Sequence, residues 1–165
     1  MLLRRKNAVS LAVAVCAALC IGMGLGAYGA SVWQATGLLR SMVVSWDQAS
    51  KHEGDWGEMR RYFFGETYAT KNVLVAAAVV KPGKAVHRSH RHAEEEYLIL
   101  VSGEGMWQLG EKQFPAKQGD ILYVEPWVYH GLTNTGSKPL IFAVVRYNPK
   151  GVEIPQRPDN QPDEL

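Results

Sequence analysis

Residues 60–147 are a succession of short β-prone runs cut by glycine- and proline-bearing turns. That rhythm restricts the chain to a sandwich or barrel of strands. Residues 60–64 form a short aromatic run and residues 72–80 a strongly apolar one, ended by Lys81-Pro82-Gly83-Lys84. Residues 97–101 follow, closed by Gly103. Residues 106–109 and 113–114 flank Gly110-Glu111-Lys112, a hairpin signal. Gln118-Gly119-Asp120 precedes residues 121–124, and a last pair covers 130–133 and 140–147. Ahead of the strands, Leu38, Leu39, Met42, Val43 and Trp46 recur at three- and four-residue spacing, which predicts a short amphipathic helix in the lead-in. Residues 54–57 read as a turn. Residues 151–165 hold three prolines and no apolar period, which predicts an extended or disordered tail.

One segment within this frame carries chemistry. His90, His92 and Glu96 stand in the pattern H-x-H-x3-E, with Gly103 seven residues further on. Alternate residues of a strand share a face, so these three project from one side if the strand is regular. Two imidazoles and a carboxylate converging on one point suit a divalent transition metal. His130, in another strand-like run, is the candidate for a fourth ligand. Glu95 has the wrong parity, and Glu94 sits close to His92 in sequence, so Glu96 is preferred and the other two are expected to face solvent or loop. Taken singly, histidines beside Arg88 and Arg91 read as surface residues. His87 reads as a loop residue.

The two segments resemble the signature motifs of the cupin superfamily, G-x5-H-x-H-x3,4-E-x6-G and G-x5-P-x-G-x2-H-x3-N. Gly83 opens the first motif one residue early, and His90, His92, Glu96 and Gly103 fall at the family spacing. In the second, Gly119 precedes Pro126 with one extra residue, Val128 replaces the turn glycine, and Asn134 follows His130 at the family interval. The resemblance covers residues 73–147. It implies an all-β double-stranded β-helix, a jelly-roll barrel over residues 58–150, following the lead-in at 31–57. It also implies that His90, His92, Glu96 and His130 bind one metal, which residue types leave open among Fe, Mn, Ni, Cu and Zn.

Three histidines and one carboxylate leave coordination positions free for water, dioxygen or a small oxygen-rich ligand. Proteins of such a family include dioxygenases, isomerases, lyases, sugar- or carboxylate-binding modules and storage proteins, so the fold does not decide whether this chain is an enzyme. Tyr123 and Trp127, flanking an irregular turn, and Arg146, alone among apolar residues of the last strand, are candidates for lining a ligand pocket. Neighbours of inward ligands should face outward, which weighs against Tyr97 and Tyr129. A structural barrel clipped by its metal is a further reading. Homodimerisation is compatible with the resemblance.

Residues 1–30 differ from the rest. Arg4, Arg5 and Lys6 precede an apolar, small-residue run ending at Ala27-Tyr28-Gly29-Ala30. This is the form of a secretory signal cleaved after Gly29, and the uncharged run is also long enough to be a retained membrane anchor. Either reading exports the domain, to the periplasm or beyond, and membrane contact comes through this segment alone. Both cysteines, Cys16 and Cys20, lie in it, so disulfides are not expected in the remainder. Without its three basic residues the formal charge falls from +2 to −1. Nothing in that balance suits nucleic acid.

Overall fold

The computed structural model describes residues 37–165, which belong to the compact unit assigned to residues 31–165. The expectations for the leader at residues 1–30 fall outside the described residues. Among the described residues nine strands form two antiparallel sheets. They are β1 (Ser50–Gly54), β2 (Gly57–Gly65), β3 (Thr70–Val80), β4 (Glu95–Ser102), β5 (Glu104–Leu109), β6 (Lys112–Lys117), β7 (Ile121–Val124), β8 (His130–Thr133) and β9 (Leu140–Pro149). The larger sheet has the order β1-β2-β3-β9-β4-β7 and the smaller β6-β5-β8.

Period-two patterning explains why these strands pair as they do. In β3, Ala76, Ala78 and Val80 are buried; in β9, Leu140, Phe142 and Val144; in β4, Leu98 and Leu100. The register sets small against large across the sheet: Ala78 opposes Phe142, and Phe142 opposes Leu100. Directly opposed residues share a face, so these rows build one apolar layer. The smaller sheet supplies Trp107, Ala116 and Leu132 to the same core. At one end of the layer the row changes character. Leu74 opposes Arg146, Arg146 opposes Glu96, and Glu96 opposes Val124, so two charged side chains enter the inward face side by side.

Two turns demand glycine. Gly103, between β4 and β5, has a φ of +91°, and a Cβ there would lie 2.9 Å from the Leu140 Cα. Gly57, at the β1–β2 hairpin, has a φ of +140° and would drive a Cβ to 2.0 Å from the Val79 carbonyl oxygen.

Two expectations need correction. Among the described residues there is no helix, and the lead-in at 38–46 is irregular. Its amphipathic spacing finds no apolar face to cover: Val43 is 94% exposed and Met42 is also exposed. The backbone is instead tied to the β2–β3 connection, Leu39 N–H donating to the Glu66 carbonyl at 2.7 Å. β1 was not expected. Its sequence, Ser-Lys-His-Glu-Gly, is polar with no alternation, and it forms through its register with β2 rather than through burial.

Candidate metal centre

The histidine pair does not lie on a regular strand. His90 and His92 belong to an irregular segment that precedes β4, so the strand-parity argument for their convergence fails. The segment is placed by pairing instead. His90 N–H donates to the His130 carbonyl at 3.0 Å, and His130 N–H returns to the His90 carbonyl at 2.8 Å. With the Ala85–Thr133 bridge, this lays the segment antiparallel along β8. The His92 carbonyl is fixed by the Trp127 N–H at 2.8 Å. Glu96 then arrives from β4, facing inward.

The result is a compact cluster. His90, His92 and His130 can each present a nitrogen such that all three lie within 4.8 Å of one another. The Glu96 oxygens lie 3.3 Å from His92 Nε2 and 3.3 Å from His130 Nε2. His130 is 1% exposed and Glu96 5%. Outside the cluster, His130 Nδ1 meets the Val128 carbonyl at 2.9 Å and His92 Nδ1 the Glu94 carbonyl at 3.0 Å. A carbonyl can only accept, so both rings carry a proton on Nδ1 and turn Nε2 inward.

These donors fit a metal ion. His90 Nδ1, His92 Nε2 and His130 Nε2 are buried and have no hydrogen-bond partner. Such orphaned atoms are costly inside a protein and call for an explanation. Glu96 stands 3.3 Å from two of them without making a hydrogen bond to either. Lone pairs facing a carboxylate need a cation between them, and one divalent ion satisfies all of the donors together.

The protonation states agree. Burial pulls the Glu96 carboxyl up, but the adjoining His130 and His92 imidazoles outweigh it and bring the pKa down to about 2. Burial, then the neighbouring His87, His130 and His92, push His90 down to about 3. An anionic carboxylate and a neutral imidazole are the forms that bind metal.

A cavity of about 330 Å³ adjoins the cluster, and His90, Glu96 and His130 form part of its wall. Of the pocket candidates, Arg146 lines it; Tyr123 and Trp127 do not. Tyr123 is exposed on the outer face of β7, its ring 5.0 Å from that of Tyr97, because its neighbours Leu122 and Val124 take the inward positions. Trp127 points to the other end of the chain, its Nε1–H donating to the Pro155 carbonyl at 2.6 Å. Trp127 also has a φ of +68°, so the left-handed turn position falls on it and not on Val128. Tyr97 faces outward, as parity requires. Glu95 lies on that same side, beside Tyr123 and Tyr147. His87 lines the cavity from its loop, its ring centroid 3.9 Å from that of His90.

Sequence reading missed Arg91. It is 4% exposed and paired with Asp159 and Asp163, with its guanidinium 4.7 Å from the Tyr129 ring centroid. The 151–165 tail is extended and fastened here: Arg91 N–H donates to the Asp163 carbonyl and Leu165 N–H to the Ser89 carbonyl, both at 2.9 Å.

Comparison with known proteins adds four findings. The family described as the cupin domain matches residues 77–146. The oxalate-binding protein of Thermotoga maritima is 29% identical over 115 residues, covering 68% of this chain and 95% of that protein. The (S)-ureidoglycine aminohydrolase of Arabidopsis thaliana is 31% identical over 72 residues, 42% of this chain, and the match spans 24% of the enzyme's length. A solved double-stranded β-helix protein from Klebsiella pneumoniae superposes with a TM-score of 0.54 at 23% identity, covering 70% of this chain and 97% of that one. That likeness establishes the fold.

Proposed function

We propose that this chain, which belongs to the cupin superfamily, holds a divalent transition metal on His90, His92, Glu96 and His130 and uses it to bind a small oxygen-rich molecule in the adjoining cavity. The observation that carries the reading is the convergence of three buried, unpartnered imidazole nitrogens around a carboxylate. When bound, the metal supplies Lewis acidity toward a ligand oxygen.

The residues of the chain do the rest. Glu96 contributes the negative charge that offsets part of the ion's own. The Val128 and Glu94 carbonyls lock the His130 and His92 rings in the tautomer that frees Nε2, the outer support that metal-binding histidines require. The likeness to an oxalate-binding protein supports a carboxylate among the candidate ligands.

Elemental analysis of the purified chain tests this, alongside His130→Ala and Glu96→Gln. The expected result is near-stoichiometric Fe, Mn, Ni, Cu or Zn that falls in both variants. A well-folded chain that takes up none of these metals when they are supplied would sink the reading.

A further inference from the structure

On β9 the inward positions run Leu140, Phe142, Val144 and then Arg146. The first three are core. Arg146 breaks the series and lines the cavity, beside Glu96 on one neighbouring strand and Leu74 on the other. Glu96 is turned to the imidazoles, and no ion pair joins it to Arg146. Among the described residues no hydrogen bond or ion pair engages the Arg146 guanidinium. Arginine does not shed its proton, and Arg146 is half-buried at the wall of the cavity without a partner, so its guanidinium is free to receive an anion there.

Apart from Arg146, Glu96 and the imidazoles of His87, His90 and His130, the wall is mostly apolar. Met59, Leu74, Leu98, Leu132, Phe142 and Val144 surround the space. At about 330 Å³ it is larger than a two-carbon diacid needs. It lies at the lower end of the range for small-molecule sites, ~300–1,000 Å³. A short diacid could reach both Arg146 and the cluster, but it would leave the apolar part of the space unfilled.

We infer that the cavity takes an organic monocarboxylate with an apolar body and an oxygen next to the carboxylate, and that Arg146 is the residue that selects it. A planar carboxylate matches the guanidinium fork through two parallel hydrogen bonds. The apolar body lies against the aliphatic and Phe142 wall. The neighbouring oxygen faces the cluster of His90, His130 and Glu96; for this contact the inference rests on the metal reading above. Arg146 is thus a specificity residue, separate from the metal donors, and its replacement leaves them intact.

Calorimetric titration of the full chain, with and without bound zinc, tests the inference with four probes: mandelate, its methyl ester, glycolate and oxalate. Mandelate carries the carboxylate, the adjacent hydroxyl and the apolar body; the ester lacks the charge, glycolate lacks the body, and oxalate is the short diacid. Mandelate is expected to bind at least about tenfold more tightly than each of the others, since the ester loses the charged hydrogen-bonded pair and glycolate and oxalate lose the buried apolar body. Arg146→Leu should lose roughly tenfold or more in mandelate affinity, with Arg146→Lys recovering part, while zinc uptake stays at the wild-type level. Equal affinity of wild type and Arg146→Leu for mandelate would overturn the proposal, as would oxalate or glycolate matching mandelate, or none of the probes binding. Zinc uptake by the wild type is read on its own, and Arg146 dependence is also read without zinc. Failure of the metal centre and failure of the carboxylate site are therefore seen separately.

Discussion

The Nη2 of Arg91 lies 2.6 Å from Oδ1 of Asp159, a contact that reaches across 68 residues and ties the tail to the point between His90 and His92. The same nitrogen donates to the Gln161 carbonyl at 2.8 Å. Arg91→Ala removes these anchors at once. Amides of residues 155–165 should then exchange hydrogen faster by roughly tenfold or more, while those of β3 and β9 keep their protection. Hydrogen-exchange mass spectrometry checks both halves of the expectation.

The same pair sets a pH dependence. Hydrogen bonding from Arg91, and then from the Gln161 N–H, holds the Asp159 carboxyl below its ordinary value of 3.8. A carboxyl lowered in the folded state contributes stability above its unfolded pKa and loses it as pH falls through the folded one. The tail should stay docked from about pH 5 to 8 and release only in acid below about pH 4. Protease susceptibility of residues 151–165 against pH should show that step, and Arg91→Ala should abolish it.

Asn134 holds a different junction. Its Nδ2 donates to the Val80 and Lys138 carbonyls at 2.8 Å each, and its Oδ1 accepts from Gly136 N–H at 2.9 Å. The side chain is 0% exposed. Asn134→Ala leaves buried backbone groups without partners and should cost about 2–4 kcal/mol in urea unfolding, with metal content per folded molecule unchanged.

Trp127 pays for its place with backbone strain. A side chain at its φ of +68° costs about 1–2 kcal/mol relative to glycine. Trp127→Ala and Trp127→Gly both lose the bond to Pro155, but only the glycine relieves the backbone. Trp127→Gly should therefore be more stable than Trp127→Ala by about 1 kcal/mol in thermal or urea unfolding.

How much of this was legible depends on how local its cause is. Strands such as β3 and β9 announce themselves, because alternate Ala, Val, Leu and Phe record which face is buried. β1 does not, since Ser50–Gly54 pairs with β2 without burying a side chain. The spacing at 38–46 looks helical, yet a helix needs an apolar surface to rest on, and exposed Met42 and Val43 have none. Donor types and spacing pick out His90, His92, Glu96 and His130, which the fold does bring together. The reason they meet was not legible: it is a two-residue bridge between His90 and His130, not a shared strand face. Arg91 was invisible as a structural residue because its acids lie far along the chain. Tyr123 followed simple parity after all, its two neighbours being core.

Val80 pairs with Leu140, so β3 and β9 close a loop that contains β4 to β8 and every donor of the candidate centre. Closing so long a loop costs chain entropy before its contacts can form, and folds dominated by distant pairings assemble in milliseconds to seconds. Until then His90 and His130 are no nearer than the unfolded coil makes them. On the proposed metal reading, an ion would find no preformed cage on the nascent chain and would bind after collapse, as a passenger rather than a nucleus.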